Sequence, residues 1–318
     1  MISSTAGSPD ELVARQPPRA PVSVCIACRN EADRLAACLE SVQWADDTIV
    51  MDLSSTDDSV AVAERYGARV IRRDPVPIVE LVRNEIAAAA RHDWILALDP
   101  DERITPGLAA ELARVTQRDD IDAVVVPRMN WDLGYPPSNP AERYEQQLRM
   151  YRRSRVTWPV IPNALPQVSD ERKYRVPSTD ETVLVHDRNR NIPEVLDRIV
   201  RYAPLQAQSM IDRGQVFSAR AMVTSLSTRA KRQFIDGKAW RDGVPGLLRA
   251  AILVGFHFYI WAAFWQLSGA KRTPEDDRFV RRLGLWLERA QRGYHIATAP
   301  ARAMRQIGAR VRRGLGGT

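Results

Sequence analysis

The stretch Trp94–Pro106, "WILALDPDERITP", changes character within one residue. Five apolar residues, Trp94–Leu98, give way to Asp99, Pro100, Asp101 and Glu102, and then to Thr105-Pro106, a helix-start pair. A short apolar run closed by turn residues reads as a strand buried on both faces. Carboxylates repel one another. Three of them in four positions must be offset by a helix N-terminus, by solvent or by a bound cation.

Working outward, the same texture repeats. Apolar, β-branched runs occur at Val22–Ala27, Thr48–Met51, Ala68–Ile71 and Ala123–Val126. Between them lie segments with helical spacing at Leu35–Val42, Ser59–Tyr66, Val79–Ala90 and Leu108–Val115. This alternation predicts an α/β fold with a mostly parallel sheet covered by helices on both faces. Ligands of such sheets bind at the carboxyl ends of the strands. Polar clusters follow three of them: Cys28-Arg-Asn-Glu31, Asp52-Leu-Ser-Ser-Thr-Asp57 and Asp99-Pro-Asp-Glu102. Neither GxGxxG after a strand nor GxxxxGK[ST] is present, so a dinucleotide fold and a P-loop are not supported. Asp57 with Thr56 is placed to cap one helix, and Glu102 to serve the helix after Pro106. Capping leaves Asp52 and Asp99 unexplained.

The 318 residues carry a net charge of +7, and it is unevenly placed. From Lys271 onward twelve Lys or Arg face four Asp or Glu, so the basic character belongs to the C-terminal end. Cys25 and Cys28 have CxxC spacing, but no second pair completes a zinc set, and Cys38 is the only other cysteine. Buried structural thiols in a cytosolic chain are expected. Residues 1–20 are polar and Ser/Pro-rich, with no apolar stretch of signal length, and read as a disordered lead-in. Prolines and aromatics crowd Met129–Asn189, which reads as a loop-rich pocket wall with strands at Leu148–Tyr151 and Thr182–His186.

Beyond Pro193 the chain reads as helical. Glu194–Gly214 is amphipathic and interrupted by Pro204, and Phe217–Phe234 follows. Leu247–Trp265, "LLRAAILVGFHFYIWAAFW", is the most apolar run. Between Ala250 and Trp265 it would rise about 24 Å, short for a bilayer core of about 30 Å. Its aromatics, the basic segment after it and the arginine-rich Arg302–Arg313 point to an in-plane membrane anchor, with a buried core helix as the alternative. Nucleic acid is not expected as a partner, because no recognition motif accompanies the charge.

In order and spacing, "VSVCIACRNEADRLAACLESV", "IVMDLSSTDDSVAVAERYGARV", "WILALDPDERITPGLAAEL" and "QLRMYRR" resemble the family 2 glycosyltransferases. "VLVHDRNRNIPEVLDRIVRYA" and "GKAWRDGVPGLLRAAI" resemble the branch that includes lipopolysaccharide-core β-glucosyltransferases. The resemblance implies a GT-A (Rossmann-like) nucleotide-sugar domain over 21–190 and a helical, membrane-associating extension over 191–318. It also implies an inverting, metal-dependent transferase at the inner face of the plasma membrane. Such an enzyme uses a nucleotide-diphosphate sugar donor, Mg²⁺ or Mn²⁺, and a lipid-linked or cell-envelope glycan acceptor.

Carried over by position, Asn30, Glu31 and Asp52 would contact the nucleoside, and Asp101 would hold the metal with Asp99 touching ribose or metal. Arg83 stands where relatives carry a basic residue before Asn84 and would steer the phosphates, or lie solvated. Relatives show Pro-Asp-x-Gln-x-Arg where this chain has Glu145-Gln-Gln-Leu-Arg149, which places Glu145 as general base, with Asp132 and Glu142 as alternatives. His186 matches a strand-end His that would complete the metal site, bind acceptor, or serve structure. Two departures stand out. The His-Glu pair that relatives carry near "WPVIPNALPQV" is missing, with Asn163 the nearest polar residue. Leu53-Ser54 replaces the Ser-Gly of the second turn, removing a residue tolerant of unusual φ. The missing pair leaves a second reading open, a catalytically silent nucleotide-sugar-binding or scaffold protein.

Overall fold

A computed structural model describes residues 19–160 and 165–292. The lead-in through position 18, Asn163 and Arg302–Arg313 lie outside the described residues.

The alternation is present: β1 (Ala20–Cys28), α1 (Ala32–Glu40), β2 (Ala45–Asp52), α2 (Ser59–Arg65), β3 (Arg69–Arg72), α3 (Glu80–Ala88) and β4 (Trp94–Leu98). Then come β5 (Glu102–Ile104), α4 (Pro106–Val115), β6 (Ala123–Asp132), the single turn α5 (Pro140–Arg143), β7 (Glu145–Arg152), β8 (Lys173–Arg175) and β9 (Leu184–Asn189). One sheet takes the order β3-β2-β1-β4-β7-β6-β9-β5, with β8 pairing β6. Parallel pairing joins β3, β2, β1 and β4. Past β4 the sheet is mixed: β7 runs antiparallel to both β4 and β6, while β9 runs parallel to β6 and antiparallel to β5.

Two layers of helices cover the sheet, as the spacing predicts. Leu35 and Leu39 of α1 and Leu108 and Leu112 of α4 pack with Val24, Ile26 and Leu96 on one face. Val82 and Ile86 of α3 pack with Ile49, Met51, Ile95 and Tyr151 on the other. Each such fully buried side chain contributes about 1.5–3 kcal/mol. The helix after Pro106 is capped by Thr105, whose Oγ1 accepts the Leu108 amide (3.4 Å), and Glu102 has no part in it. Instead Glu102 begins β5, a strand whose charged sequence Glu-Arg-Ile hides it from an apolar pattern.

The chain forms two compact units. One runs to Val195 and takes back Phe234–Arg249. The other consists, among the described residues, of Leu196–Gln233 and 250–292, so the division is not a single cut near 190. The helical segments are α6 (Ile192–Asp212), α7 (Ala219–Lys231), α8 (Gly243–Leu267) and a helix over 274–292. Pro204 lies inside α6, where it removes one hydrogen bond without ending the helix. In the second unit Ala207, Trp261 and Phe264 form a small core, and His257 Nε2 lies 2.9 Å from Ser225 Oγ. Residues 239–267 are long and apolar enough to cross a membrane, by length and composition; the mean hydropathy is 1.7 and 28% of the apolar window is buried. That low burial is unlike the core helix of a soluble domain.

Candidate active site

The first two strand-end turns are stitched together by hydrogen bonds donated by backbone amides and hydroxyls. Asn30 sits at φ 56°, a left-handed conformation that Asn tolerates. Its Oδ1 accepts the Thr56 amide (2.7 Å), its own amide donates to Ser55 Oγ (2.9 Å), and the Glu31 amide donates to Ser59 Oγ (3.0 Å). Asp57 accepts the Ala32 amide at the start of α1 and the Ser59 amide at the start of α2, both at 3.0 Å, so it serves both helices. Buried Asp52 accepts the Ser55 amide at 3.2 Å. Ser54 adopts φ 60° with no glycine there, and its hydroxyl donates to the Arg73 carbonyl (3.1 Å). The second turn therefore keeps a left-handed residue at the position where relatives have Gly, at a conformational cost of roughly 1–2 kcal/mol.

The third turn behaves differently. Pro100 occupies the second position of a turn closed by the Glu102 amide donating to the Asp99 carbonyl (3.0 Å). The three carboxylates separate. Asp99 is gripped by Arg149 (2.7 Å) and Arg83 (3.2 Å). Burial disfavours its charge, but Arg149 and then Arg83 hold the carboxyl far below the usual range. Arg83 is buried and lies over the Trp158 ring (4.8 Å to the centroid), so it is not solvated. Glu102 is fully buried between Arg149 and Arg128 (3.1 Å) and accepts the Asp99 amide (3.1 Å). Arg128 continues to Glu145 at 2.7 Å. Three arginines and three carboxylates thus form a neutral network across α3, the turn after β4, β5, β6 and β7. Arg149 is the residue the pattern passed over. A charge inside the apolar run Leu148–Tyr151 was the available signal, because an arginine is almost never fully buried unless paired.

Asp101 stands apart from that network. β5 and β9 place Glu102 opposite His186, and His186 Nε2 then lies 3.2 Å from Asp101 Oδ2. Asn130 fixes the imidazole. Its Nδ2 donates to Glu145 (3.0 Å), so its Oδ1 faces His186 Nδ1 (2.6 Å) and takes the proton there. The Nε2 lone pair then faces a carboxylate oxygen, an arrangement that a cation or a second proton between them relieves. Arg34 lies 4.0 Å from the same oxygen and pairs with Glu194 at the start of α6. Among the described residues no three His, Cys, Asp or Glu converge to hold an ion. Asp101 and His186 are the described residues that could hold a divalent cation, the carboxylate being the hard oxygen ligand such an ion prefers.

Glu145 is a carboxylate at the edge of this site, 46% exposed. Burial raises its pKa, but Arg128, the Asn130 hydrogen bond and the more distant Arg188 outweigh that and hold it at about 2. It is ionised at working pH, and it is a weak proton acceptor. Asp132 is buried and committed to Arg188 (2.6 Å) and Asn189 (2.6 Å), which removes it as a base. Glu142 lies in α5, partly buried. The three cysteines are buried and unpaired, with burial pushing Cys25 to about 12 and Cys28 to about 11, so they are structural thiols.

The chain is 24% identical to the lipopolysaccharide core biosynthesis glycosyltransferase LpsC of Rhizobium meliloti, over 82% of this chain and 97% of that one. It is 34% identical to a TPR repeat-containing protein of Synechococcus elongatus, but over only 42% of this chain and 32% of that protein's length. Among solved structures, a Pyrobaculum calidifontis mannosyltransferase in complex with GDP-Man and Mn²⁺ aligns at 15% identity and TM-score 0.42, over 89% of this chain and 85% of that one. The model of glycosyl transferase family 2 matches residues 23–201, more than half of the chain. With its GT-A sheet and its three polar strand-end turns, this chain belongs to glycosyl transferase family 2.

Proposed function

We propose that the chain is an inverting glycosyltransferase that moves a sugar from a nucleotide-diphosphate donor to a lipid-linked or cell-envelope glycan. It works at the cytoplasmic face of the plasma membrane. The observation that carries this reading is the separation of the Asp99–Glu102 carboxylates. Two are consumed by arginines, while Asp101, in the turn between β4 and β5, is set against His186 of β9. The match to LpsC along nearly its whole length supports an envelope glycan as acceptor. The exposed apolar face of 247–265 and the basic segment after it support a membrane position.

In this reading Asn30, Glu31 and Asp52 bind the nucleoside in the stitched turns. Asp99, held by Arg83 and Arg149, stiffens the turn that presents Asp101. Asp101 and His186 hold Mg²⁺ or Mn²⁺, which supplies Lewis-acid assistance to the departing diphosphate. Glu145 takes the proton from the attacking acceptor hydroxyl, always ionised but with little driving force, so its effect falls at the low end of the general-base range. A second reading, a silent nucleotide-sugar binder, is favoured by that same weak basicity.

A thermal-shift screen of nucleotide sugars with Mn²⁺, followed by NMR of the anomeric configuration of the product, tests both readings. We expect one donor to raise Tm only with the cation present, and the product to be inverted. No stabilising donor would overturn the transferase reading, and stabilisation without turnover would favour the silent one. For Glu145→Gln we expect kcat to fall about hundredfold with donor affinity retained; an unchanged kcat assigns the base elsewhere.

A further inference from the structure

Residues 234–249 belong to the same compact unit as the sheet. The segment is tightly built. Arg232–Asp236 forms a π-helical turn, Lys238 takes φ 53°, and Gly246 lies so close to the Ala239 carbonyl that any Cβ would collide with it. Asp242 anchors the element. It pairs with buried Arg249 and accepts from both the Ser138 hydroxyl and the Ser138 amide (3.3 Å). The Gly237 carbonyl accepts from Asn139 Nδ2 at 2.8 Å. Ser138 and Asn139 lie in the loop that leaves β6, the strand whose Arg128 and Asn130 hold Glu145 and His186. The element is therefore tied to the loop that follows β6, on the side that the proposed function gives to the acceptor through Glu145.

What this scaffold holds outward is apolar. Ile235, Trp240, Val244, Leu247 and Leu248 are 65%, 64%, 67%, 53% and 43% exposed. The segment is held at several points, by the buried Asp242–Arg249 pair, by Ser138 and Asn139, and by the close approach of Gly246 to the Ala239 carbonyl. Soluble monomers rarely keep a large contiguous apolar patch in water. The exposed charges on the element are Lys238 and Arg241 against one acid, Asp236, and the Arg241 guanidinium lies 5.2 Å from the Trp240 ring centroid. Apolar bodies with cationic tips suit the headgroup layer of a negatively charged bilayer.

We propose that residues 235–248 are a rigid contact platform for an anionic membrane surface, and that it holds the acceptor side of the site at the headgroup layer. This rests on the reading of the chain as a membrane-surface transferase, and it names the element that makes the contact and the lipid charge it takes.

The three native cysteines are buried, so an introduced one can be labelled selectively in the full chain. An environment-sensitive fluorophore on Val244→Cys should shift to the blue on phosphatidylcholine vesicles containing phosphatidylglycerol. The shift should be weaker on pure phosphatidylcholine and should be reversed by salt. The same label on Glu64→Cys, exposed on α2, should not move. The double variant Trp240→Glu, Leu247→Glu should bind the anionic vesicles at least about tenfold more weakly with an unchanged melting curve. Vesicle binding without a shift at Val244→Cys would overturn the proposal, because the contact then lies elsewhere. So would a vesicle-independent shift that grows with protein concentration, which would mean that a second copy covers the face. Nucleotide-sugar turnover measured on the same samples separates the two layers: vesicle binding with no turnover sinks the transferase and leaves the platform, and the reverse sinks the platform alone.

Discussion

The two halves of the sheet hold their polar groups in opposite ways. In the parallel half, β3 to β4, the turn residues are fixed by amides and hydroxyls: Asn30 by Thr56 and Ser55, Asp52 by Ser55, Asp57 by Ala32 and Ser59. Where the mixed half meets α3 and the turn after β4, charges satisfy charges, with Arg149, Arg128 and Arg83 neutralising Glu102, Asp99 and Glu145. The first arrangement shapes a surface at small cost per group. The second buries full charges, so each member depends on its partners, and it places Asp101 and His186 at the seam between the halves.

The sharpest way to break this contrast is to remove one member of the network. Arg149→Met leaves Glu102 fully buried and Asp99 short of its stronger partner, and should destabilise the protein by about 3–5 kcal/mol in urea unfolding. The pH dependence has a definite sign. Asp99 has a depressed carboxyl in the folded protein, so its contribution is present above the ordinary carboxylate pKa of about 3.9 and is lost as pH falls below it. In the variant Arg83 remains but the stronger depressing cation is gone, so burial weighs more heavily against the Asp99 charge. The stability gap between variant and parent should then narrow as pH is lowered from about 7 toward 4. A loss under about 1 kcal/mol would mean that the network is not the buried unit described here.

At the seam, substitution should separate function from stability. Asp101→Ala should lower donor turnover by about 10²–10³-fold with a smaller loss of stability than Arg149→Met, because its pairs with His186 and Arg34 lie outside the Arg149–Glu102 network. Turnover close to that of the parent would remove Asp101 from the metal site. Asn130→Ala acts one step further out. Loss of the bond that sets the His186 ring should weaken Mn²⁺ dependence by about 10–100-fold without shifting the donor preference. An unchanged Mn²⁺ requirement would reduce Asn130 to a structural bond.

The contrast also explains what could be read from sequence. The parallel half was legible because apolar strands and spaced helices repeat there, and the turns that follow them carry Asn30, Asp52 and Asp99 in plain order. The mixed half was not. β5 is three residues, two of them charged, so no apolar pattern marks it, and Glu102 read as a helix-start acid when it is the centre of an ion network. Arg83 read as phosphate-steering or solvated, and its partner Asp99 is 16 residues away. The link from Asn130 to His186 spans 56 residues. Neither separation is a local period, and long-range pairing of charges leaves no trace in spacing.

The smallest effect lies in the parallel half, and it tests the other side of the comparison. Asn30→Gly keeps the left-handed backbone at φ 56° and removes the Oδ1 bond to Thr56. If bonds from amides and hydroxyls set these turns individually, the loss is one net hydrogen bond, about 0.5–1.5 kcal/mol, and donor affinity falls modestly while kcat holds. Asn30→Val adds the strain of a β-branched residue at positive φ and should cost more than the glycine variant although both lose the same bond. Equal losses for the two would show that the left-handed backbone at position 30 is not what positions the turn. A loss as large as that of Arg149→Met would erase the distinction between the halves.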